Sequence, residues 1–454
     1  MNEDIQALFT VIDILHRTGK LTFLKTFIES LLDIIPRNAT GFDLICYAYY
    51  KAKDYTNAIK YGELALGGAS TEEALAIRYN LGKCYLNANE PLKSRNAFQI
   101  VSNLQPEKID IKIDLAAALY ACNQKDEANA VLLELDENGW KLQSKDEAAV
   151  QFNLGTHYIR DGNFKKGMEY LSIGRKLRIW GSYSHKFPIP EWDGATYNGK
   201  HILIVGEGGI GDEIINARFV KHINQRGMKA SFASCQQLDN VLSRLPFEKT
   251  QNYVKFTTDI KDIADYDFWT PAMNLPCMLK IDSNELWTGS YLSADPVYDE
   301  KWKSRLTGNF KVGLRWSGNP LYEQDLYRSI SLGEVYKILP AEWTKYSIQK
   351  ENTAILKSYP DVVDLEDELV TFEDALGCIN NLDVLITSCT SVAHAAAALG
   401  KRVFVMVPIM DYYVWGEGKS TSSWYGDNVT IIRQTVPKNW DSAYIELSEE
   451  LRKL

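Results

Sequence analysis

The stretch His201–Ile214, HILIVGEGGIGDEI, runs from an apolar segment through a glycine-rich turn into DEIINARFVKHI, whose apolar residues recur at helical spacing. That order is a strand, a tight loop and a helix. Gly206, Gly208 and Gly211 form G-x-G-x-x-G in the setting that gives the pattern a mechanism: glycines let backbone approach a ligand where a helix begins and its first N–H groups are unpaired. An anion or a reacting hydroxyl fits against Gly208, Gly209 and Gly211.

Downstream, Asp212–Gly227 reads as a helix, Lys229–Ser234 as a strand, Gln237–Leu245 as a helix, and Asn252–Phe256 and Tyr266–Pro271 as strands. Such alternation gives a parallel sheet whose ligands bind beyond the carboxyl ends of its strands. A nicotinamide-binding fingerprint would place an acid at the end of the second strand, where this chain has Ser234-Cys235-Gln236-Gln237, so an NAD-dependent oxidoreductase is the weaker reading. Asp265-Tyr-Asp267 has the D-x-D form by which some sugar-nucleotide enzymes hold a metal. It reads more simply as a turn entering a strand.

Upstream, the chain repeats itself. Leu81-Gly82, Tyr85, Phe98 and Pro106 match L-G-x-x-Y…F…P, with Leu115 and Ala128 about 34 residues on, and Leu154-Gly155, Tyr158, Gly162 and Phe164 match again after a longer unit. Tyr49, Asp54-Tyr55, Ala58 and Ala65 fit the same template, and Gly19 with Pro36 fit it weakly. This segment resembles the tetratricopeptide family, which implies about five helical hairpins with a surface for a protein partner. From Trp180 to Lys200 the periodicity gives way to Gly, Pro, Ser and aromatic residues, marking a boundary where a cut should be tolerated. His185, in this segment, reads as an ordinary loop histidine.

A second α/β pattern begins at KVGLRWSGNP, which spans 311–320. Strands follow at Tyr346–Gln349, Asp361–Leu365, Asp383–Ser388, Arg402–Pro408 and Val429–Arg433, with a helix over Thr371–Asn381. After Asp383–Ser388 comes Cys389-Thr390-Ser391 and the Ala-rich VAHAAAALG. Thr390 or Ser391 can cap the helix that starts there, its first N–H groups suit a diphosphate, and His394 lies one turn in.

The stretches WDG…GKHILIVGEGGIGDEI, KVGLRWSGNP, YRSISL, SIQK, DLEDELVTFEDALGCINNLDVLITSCTSVAHAAAALGK and SSWYGDNVTIIRQ, in this order over Trp192–Gln434, resemble bacterial and phage proteins in which tetratricopeptide repeats are fused to a heptosyltransferase-like glycosyltransferase of the GT-B fold. Where that pattern has Asp-Thr before the final helix, this chain has Cys389-Thr390. The resemblance implies helical repeats over 1–180, an acceptor-side Rossmann-like domain over 181–305 and a donor-binding one over 306–454. It also implies an inverting, metal-independent transfer from a nucleotide-sugar, with Asp212 as general base and no other cofactor. Arg328, Lys350, Ser317, Asn319, Thr390, Ser391 and His394 are then expected around the donor diphosphate. Glu213, Trp415, Trp424 and Tyr425 are expected around the sugar or acceptor. The acceptor classes left open are a protein, a glycan and a modified nucleic-acid base. A repeat scaffold carrying an inactive module is the alternative.

Composition agrees with a folded chain of several domains: 454 residues, 45% hydrophobic and 24% charged. The net charge of −9 disfavours non-specific nucleic-acid or anionic-membrane binding. MNEDIQALF lacks the basic start of a signal peptide and no apolar run has the length of a membrane span, so a cytoplasmic protein is expected. Seven scattered cysteines with no C-x-x-C pair suggest neither a disulfide framework nor a zinc site.

Overall fold

A computed structural model describes residues 3–137, 144–177, 187–245, 254–257, 262–286, 288–319, 325–416, 418 and 420–454. The chain divides into two compact units, Met1–Leu142 with Val436–Lys438, and Gln143–Thr435 with Asn439–Leu454.

The first unit holds, among the described residues, eight helices paired as hairpins: Glu3–Arg17 with Leu21–Ile34, Ala39–Lys51 with Tyr55–Gly67, Thr71–Asn87 with Pro91–Leu104, and Ile109–Ala121 with Lys125–Glu137. Local chemistry sets their ends. Asn38 accepts the Gly41 N–H at 2.9 Å, Asp54 accepts the Asn57 N–H at 3.1 Å, and Ser70 and Glu73 form a reciprocal capping box. Within hairpins the turn is closed by a residue in the left-handed region, at Gly19, Lys53, Asn89 and Asn123, with φ of 70, 61, 56 and 62°. Gly82 has a packing reason: a Cβ there would lie 2.6 Å from the Phe98 ring, so the two helices meet only over a glycine.

The second unit begins with a fifth hairpin, Ser144–Arg160 and Phe164–Lys176. It belongs to this unit because Ile159, Phe164, Met168 and Leu171 join the same apolar core as the sheets behind it. The boundary expected at residue 180 therefore falls inside a compact unit. Residues 178–186, with His185, lie outside the described residues.

Two parallel sheets follow. The first has strands β1 (His201–Val205), β2 (Lys229–Ala233), β3 (Val254–Thr257) and β4 (Phe268–Pro271), in the order β3-β2-β1-β4. The second has β5 (Lys311–Arg315), β6 (Thr344–Ser347), β7 (Val362–Asp364), β8 (Val384–Ser388), β9 (Val403–Val407) and β10 (Val429–Arg433), in the order β10-β9-β8-β5-β6-β7. Their central strands are apolar and buried, as strands covered on both faces must be. In each sheet the strand order reverses beside a central strand, between β1 and β4 and between β5 and β8. Those crevices are where open α/β sheets bind ligands.

The helix expected over Asp212–Gly227 is two, Ile210–Ala217 and Val220–Gln225. At the break the buried Arg218 side chain turns back and donates to the Ile215 carbonyl at 2.9 Å, taking the place of a ladder bond. The architecture is helical repeats followed by two parallel α/β sheets of four and six strands. No described helix is long and apolar enough to cross a membrane.

Candidate active site

The carboxyl ends of β1, β5, β8 and β9 open onto one cavity of about 620 Å³. The turn after β1 contributes Gly208–Asp212, β5 and its loop contribute Arg315, Gly318 and Asn319, and Arg328 reaches in behind them. Cys389, Thr390, Ser391 and His394 come from the β8 side, and Pro408 and Met410–Tyr412 from the loop after β9. Most residues expected at a glycine turn and a diphosphate site are thus drawn together from two sheets.

Asp212 stands in the first turn of its helix. Its Oδ2 accepts the Gly209 N–H at 2.7 Å, and its Oδ1 accepts the Tyr412 hydroxyl at 2.6 Å. Gly208, at φ 79°, leaves room for the carboxylate: a Cβ there would meet Oδ2 at 2.5 Å. Burial raises the Asp212 carboxyl above the usual aspartate range, while the Tyr412 and Gly209 bonds and the charge of Arg175 oppose the rise. Such a carboxylate is a stronger base than an exposed one.

The helix Ser391–Ala398 starts at the cavity, and Thr390, its capping residue, makes no side-chain capping bond. The expected hydroxyl cap is absent at Thr390, whose Oγ1 lies instead 3.5 Å from that of Thr387. Arg328 donates through Nε to Asp325 at 2.8 Å and through Nη1 to the Cys389 carbonyl at 3.1 Å, bracing the β5 and β8 loops against each other. Gly318 permits this, since a Cβ there would overlap the guanidinium. Arg315 is the cation that the sequence reading passed over. It ends β5, lines the cavity and donates to the Ile348 carbonyl at 3.1 Å. Its signal was a charged residue closing a buried parallel strand.

His394 lines the cavity in the neutral form. Burial, helped by the charge of Arg218, pushes its imidazole down to about 3. The ring stacks on Trp415 at 4.7 Å, and Nδ1 lies 2.9 Å from the Tyr425 hydroxyl. It offers a hydrogen bond to a ligand and no charge. Cys389, in the place of the aspartate of the resemblance, has its thiol pushed up to about 11 by burial, and its Sγ accepts the Trp415 indole N–H at 2.9 Å.

Several expected site residues lie elsewhere. Lys350 is exposed and donates to the carbonyls of Glu366 and Leu369 at 2.8 and 3.0 Å, away from the cavity. Ser317 is buried against Gln349, whose Nε2 it accepts at 2.9 Å. Glu213 points behind the turn and accepts the Cys235 N–H at 2.9 Å. Trp415, Trp424 and Tyr425 are buried and build the wall behind His394 without lining the cavity. Their packing partners explain this: Trp424 sits against Phe164 and Phe219, and its carbonyl accepts Arg218 at 2.5 Å. Asp267 accepts Lys200 Nζ and the His201 N–H, each at 2.8 Å, at the amino end of β1, so Asp265-Tyr-Asp267 is a strand-entry turn.

A wider groove of about 800 Å³ lies in the first unit, lined by Arg95, Gln99, Lys112, Gln124 and Glu134 among others. Two of its charged groups are already engaged, Arg95 with Gln124 and Lys112 with Glu134, each at 2.7 Å. Its acids are engaged as well, Glu134 by Lys112 and Glu127 by the Gln124 amide at 3.3 Å.

No protein-family model matches the chain. Protein FlbA of Caulobacter vibrioides is 21% identical over 434 residues, covering 84% of this chain and 69% of that protein. Among solved structures, the ADP-heptose lipopolysaccharide heptosyltransferase II of E. coli aligns with a TM-score of 0.40 at 10% identity, over 56% of this chain and 99% of its own. A mutant O-GlcNAc transferase of Thermobaculum terrenum aligns with a TM-score of 0.38 at 11% identity, over 99% of this chain and 92% of its own.

Proposed function

We propose that the protein is a glycosyltransferase that moves a sugar from a nucleoside-diphosphate sugar to a hydroxyl of an acceptor, with inversion at the anomeric carbon. One observation carries the reading: a partly buried carboxylate, Asp212, shares a single cavity with Arg315, Arg328 and the N-terminus of the Ser391 helix. The volume of about 620 Å³ suits a nucleotide-sized ligand. Asp212 takes the acceptor hydroxyl proton as that oxygen bonds to the anomeric carbon, and the bond from that carbon to the phosphate oxygen breaks with its electron pair. The diphosphate leaves carrying the new charge. Arg315, Arg328 and the helix N–H groups meet it, and arginine suits this because its charge is permanent and its planar fork matches phosphate. The acceptor is a protein, a glycan or a modified nucleic-acid base, and the repeats offer a surface to recruit it.

The other reading, a scaffold with an inactive module, draws support from the two donors that already occupy the Asp212 oxygens. Incubation with UDP-, GDP-, ADP-, CMP- and dTDP-sugars, following nucleotide release, separates the two. A glycosyltransferase releases nucleotide from one donor class, and Arg315→Met weakens binding and turnover of that donor together. Absence of release under any acceptor condition, with or without donor binding, would favour the scaffold.

A further inference from the structure

The two hydrogen bonds that hold Asp212 both lead back to the last helical hairpin. Gly209, the donor to Oδ2, stands two residues after Glu207, which is buried and pairs with the buried Arg175 of Phe164–Lys176. Glu207 also accepts the Met273 N–H at 3.2 Å, so this side chain ties the glycine turn to the end of β4 as well as to the hairpin. Tyr412, the donor to Oδ1, follows Asp411 directly. Asp411 pairs with the buried Arg160 of Ser144–Arg160 at 3.0 Å and with Arg433 at 3.1 Å. Arg160 also donates to the Asp411 carbonyl at 2.5 Å, which fixes the backbone from which Tyr412 projects.

We propose that Arg160 and Arg175 are positioning residues for the sugar-transfer step, so that the last repeat hairpin is a built-in part of the active site that fixes where the Asp212 carboxylate points. This rests on the reading of Asp212 as the base. Stability alone does not account for the arrangement, because buried ion pairs are commonly no better than apolar packing of the same volume. Here each of the hairpin's two helices carries one arginine to a loop that touches the same carboxylate, and the two loops belong to different sheets. A hairpin that served only to cover the core would need no such pair.

The charges facing Asp212 set what the arrangement does to its proton. Glu213 is its neighbour, Tyr412 and Tyr413 face it from the loop after β9, Cys389 from the end of β8, neutral His394 from across Gly211, and Arg175 from the hairpin, while Arg315, Arg328 and Asp411 line the same cavity. Arg175 is the hairpin's cation among them, and it favours the ionised carboxylate. Removing it makes Asp212 harder to ionise. The acid limb of the turnover profile then moves to higher pH, because the base must be deprotonated to act.

Carboxyl-carbon NMR on the full-length protein labelled at aspartate, with the Asp212 signal identified by its loss in Asp212→Asn, reads that midpoint without relying on turnover. Arg175→Met is expected to raise the midpoint and to lower kcat by about tenfold or more while leaving the donor KM within about twofold. Arg175→Lys keeps the charge and should restore the midpoint. Arg160→Met acts through Tyr412 and should move the midpoint in the same direction. Should Arg175→Met not fold, Arg175→Met with Glu207→Gln leaves neither charge unpaired and carries the same measurement. An unmoved midpoint with unchanged kcat in a folded variant overturns the proposal. A moved midpoint together with wild-type turnover of Asp212→Asn would keep the coupling and overturn the base reading instead.

Discussion

At the scale of single residues, burial acts on two groups of the cavity with one rule and opposite directions. It raises the Asp212 carboxyl and lowers the His394 imidazole, since in both it penalises the charged form. For His394 this has a consequence for stability. The unfolded chain binds a proton near pH 6.5 while the folded one holds out to about 3, so stability is intact above pH 6.5 and is lost as pH falls between those values, by up to about 1.4 kcal/mol per pH unit. Thermal melting of wild type and His394→Gln over this range should show a shallower acid slope in the variant; parallel slopes would mean that the ring is protonated in the folded protein. How far such residues can be read from sequence depends on where their partners are. Asp212 was singled out by the resemblance, and its place beside the glycine turn is local in sequence. The residue that donates to it, Tyr412, is 200 positions away, and no local pattern links the two. Arg160 and Arg175 end ordinary helices, where a basic residue reads as a solvated charge.

At the scale of elements, close approach explains which glycines the fold requires. The helices Ile210–Ala217 and Ser391–Ala398 meet at Gly211, where a Cβ would lie 2.9 Å from His394 Cδ2. Gly211→Ala must push the ring off Trp415 or part the helices, and overpacking of this kind costs about 1–3 kcal/mol. Denaturant melts should show that loss with turnover reduced as well, and a variant of unchanged stability would mean that the helices separate freely. The strands, the repeat hairpins and the glycine turn were legible because each is written in a short period: alternation with helices, a recurring small residue, a left-handed turn closer. The aromatic residues after β9 were not. Trp415, Trp424 and Tyr425 sit in Gly- and Ser-rich loops, where a core residue and a pocket residue carry the same local sequence. Only their contacts with His394, Arg218 and Phe164 separate the two.

For the whole molecule, the repeat pattern and the compact units do not end at the same place. By periodicity Ser144–Lys176 is one more repeat, yet its apolar face belongs to the core of the α/β unit, and its arginines are buried against Glu207 and Asp411. A fragment beginning at Ser144 should therefore melt cooperatively. One beginning at Tyr183 takes Arg175 from the buried Glu207, at a cost of about 3–5 kcal/mol, leaves Asp411 with Arg433 alone, and should aggregate. Equal solubility of the two fragments would show the hairpin to be dispensable. The central claim, that one carboxylate at the meeting point of two sheets takes the acceptor proton, is tested most directly by comparing Asp212→Asn with wild type for single-turnover sugar transfer and for donor affinity by calorimetry. The account predicts a rate lower by about 10²–10⁴-fold with donor affinity nearly unchanged. Transfer at the wild-type rate would contradict it.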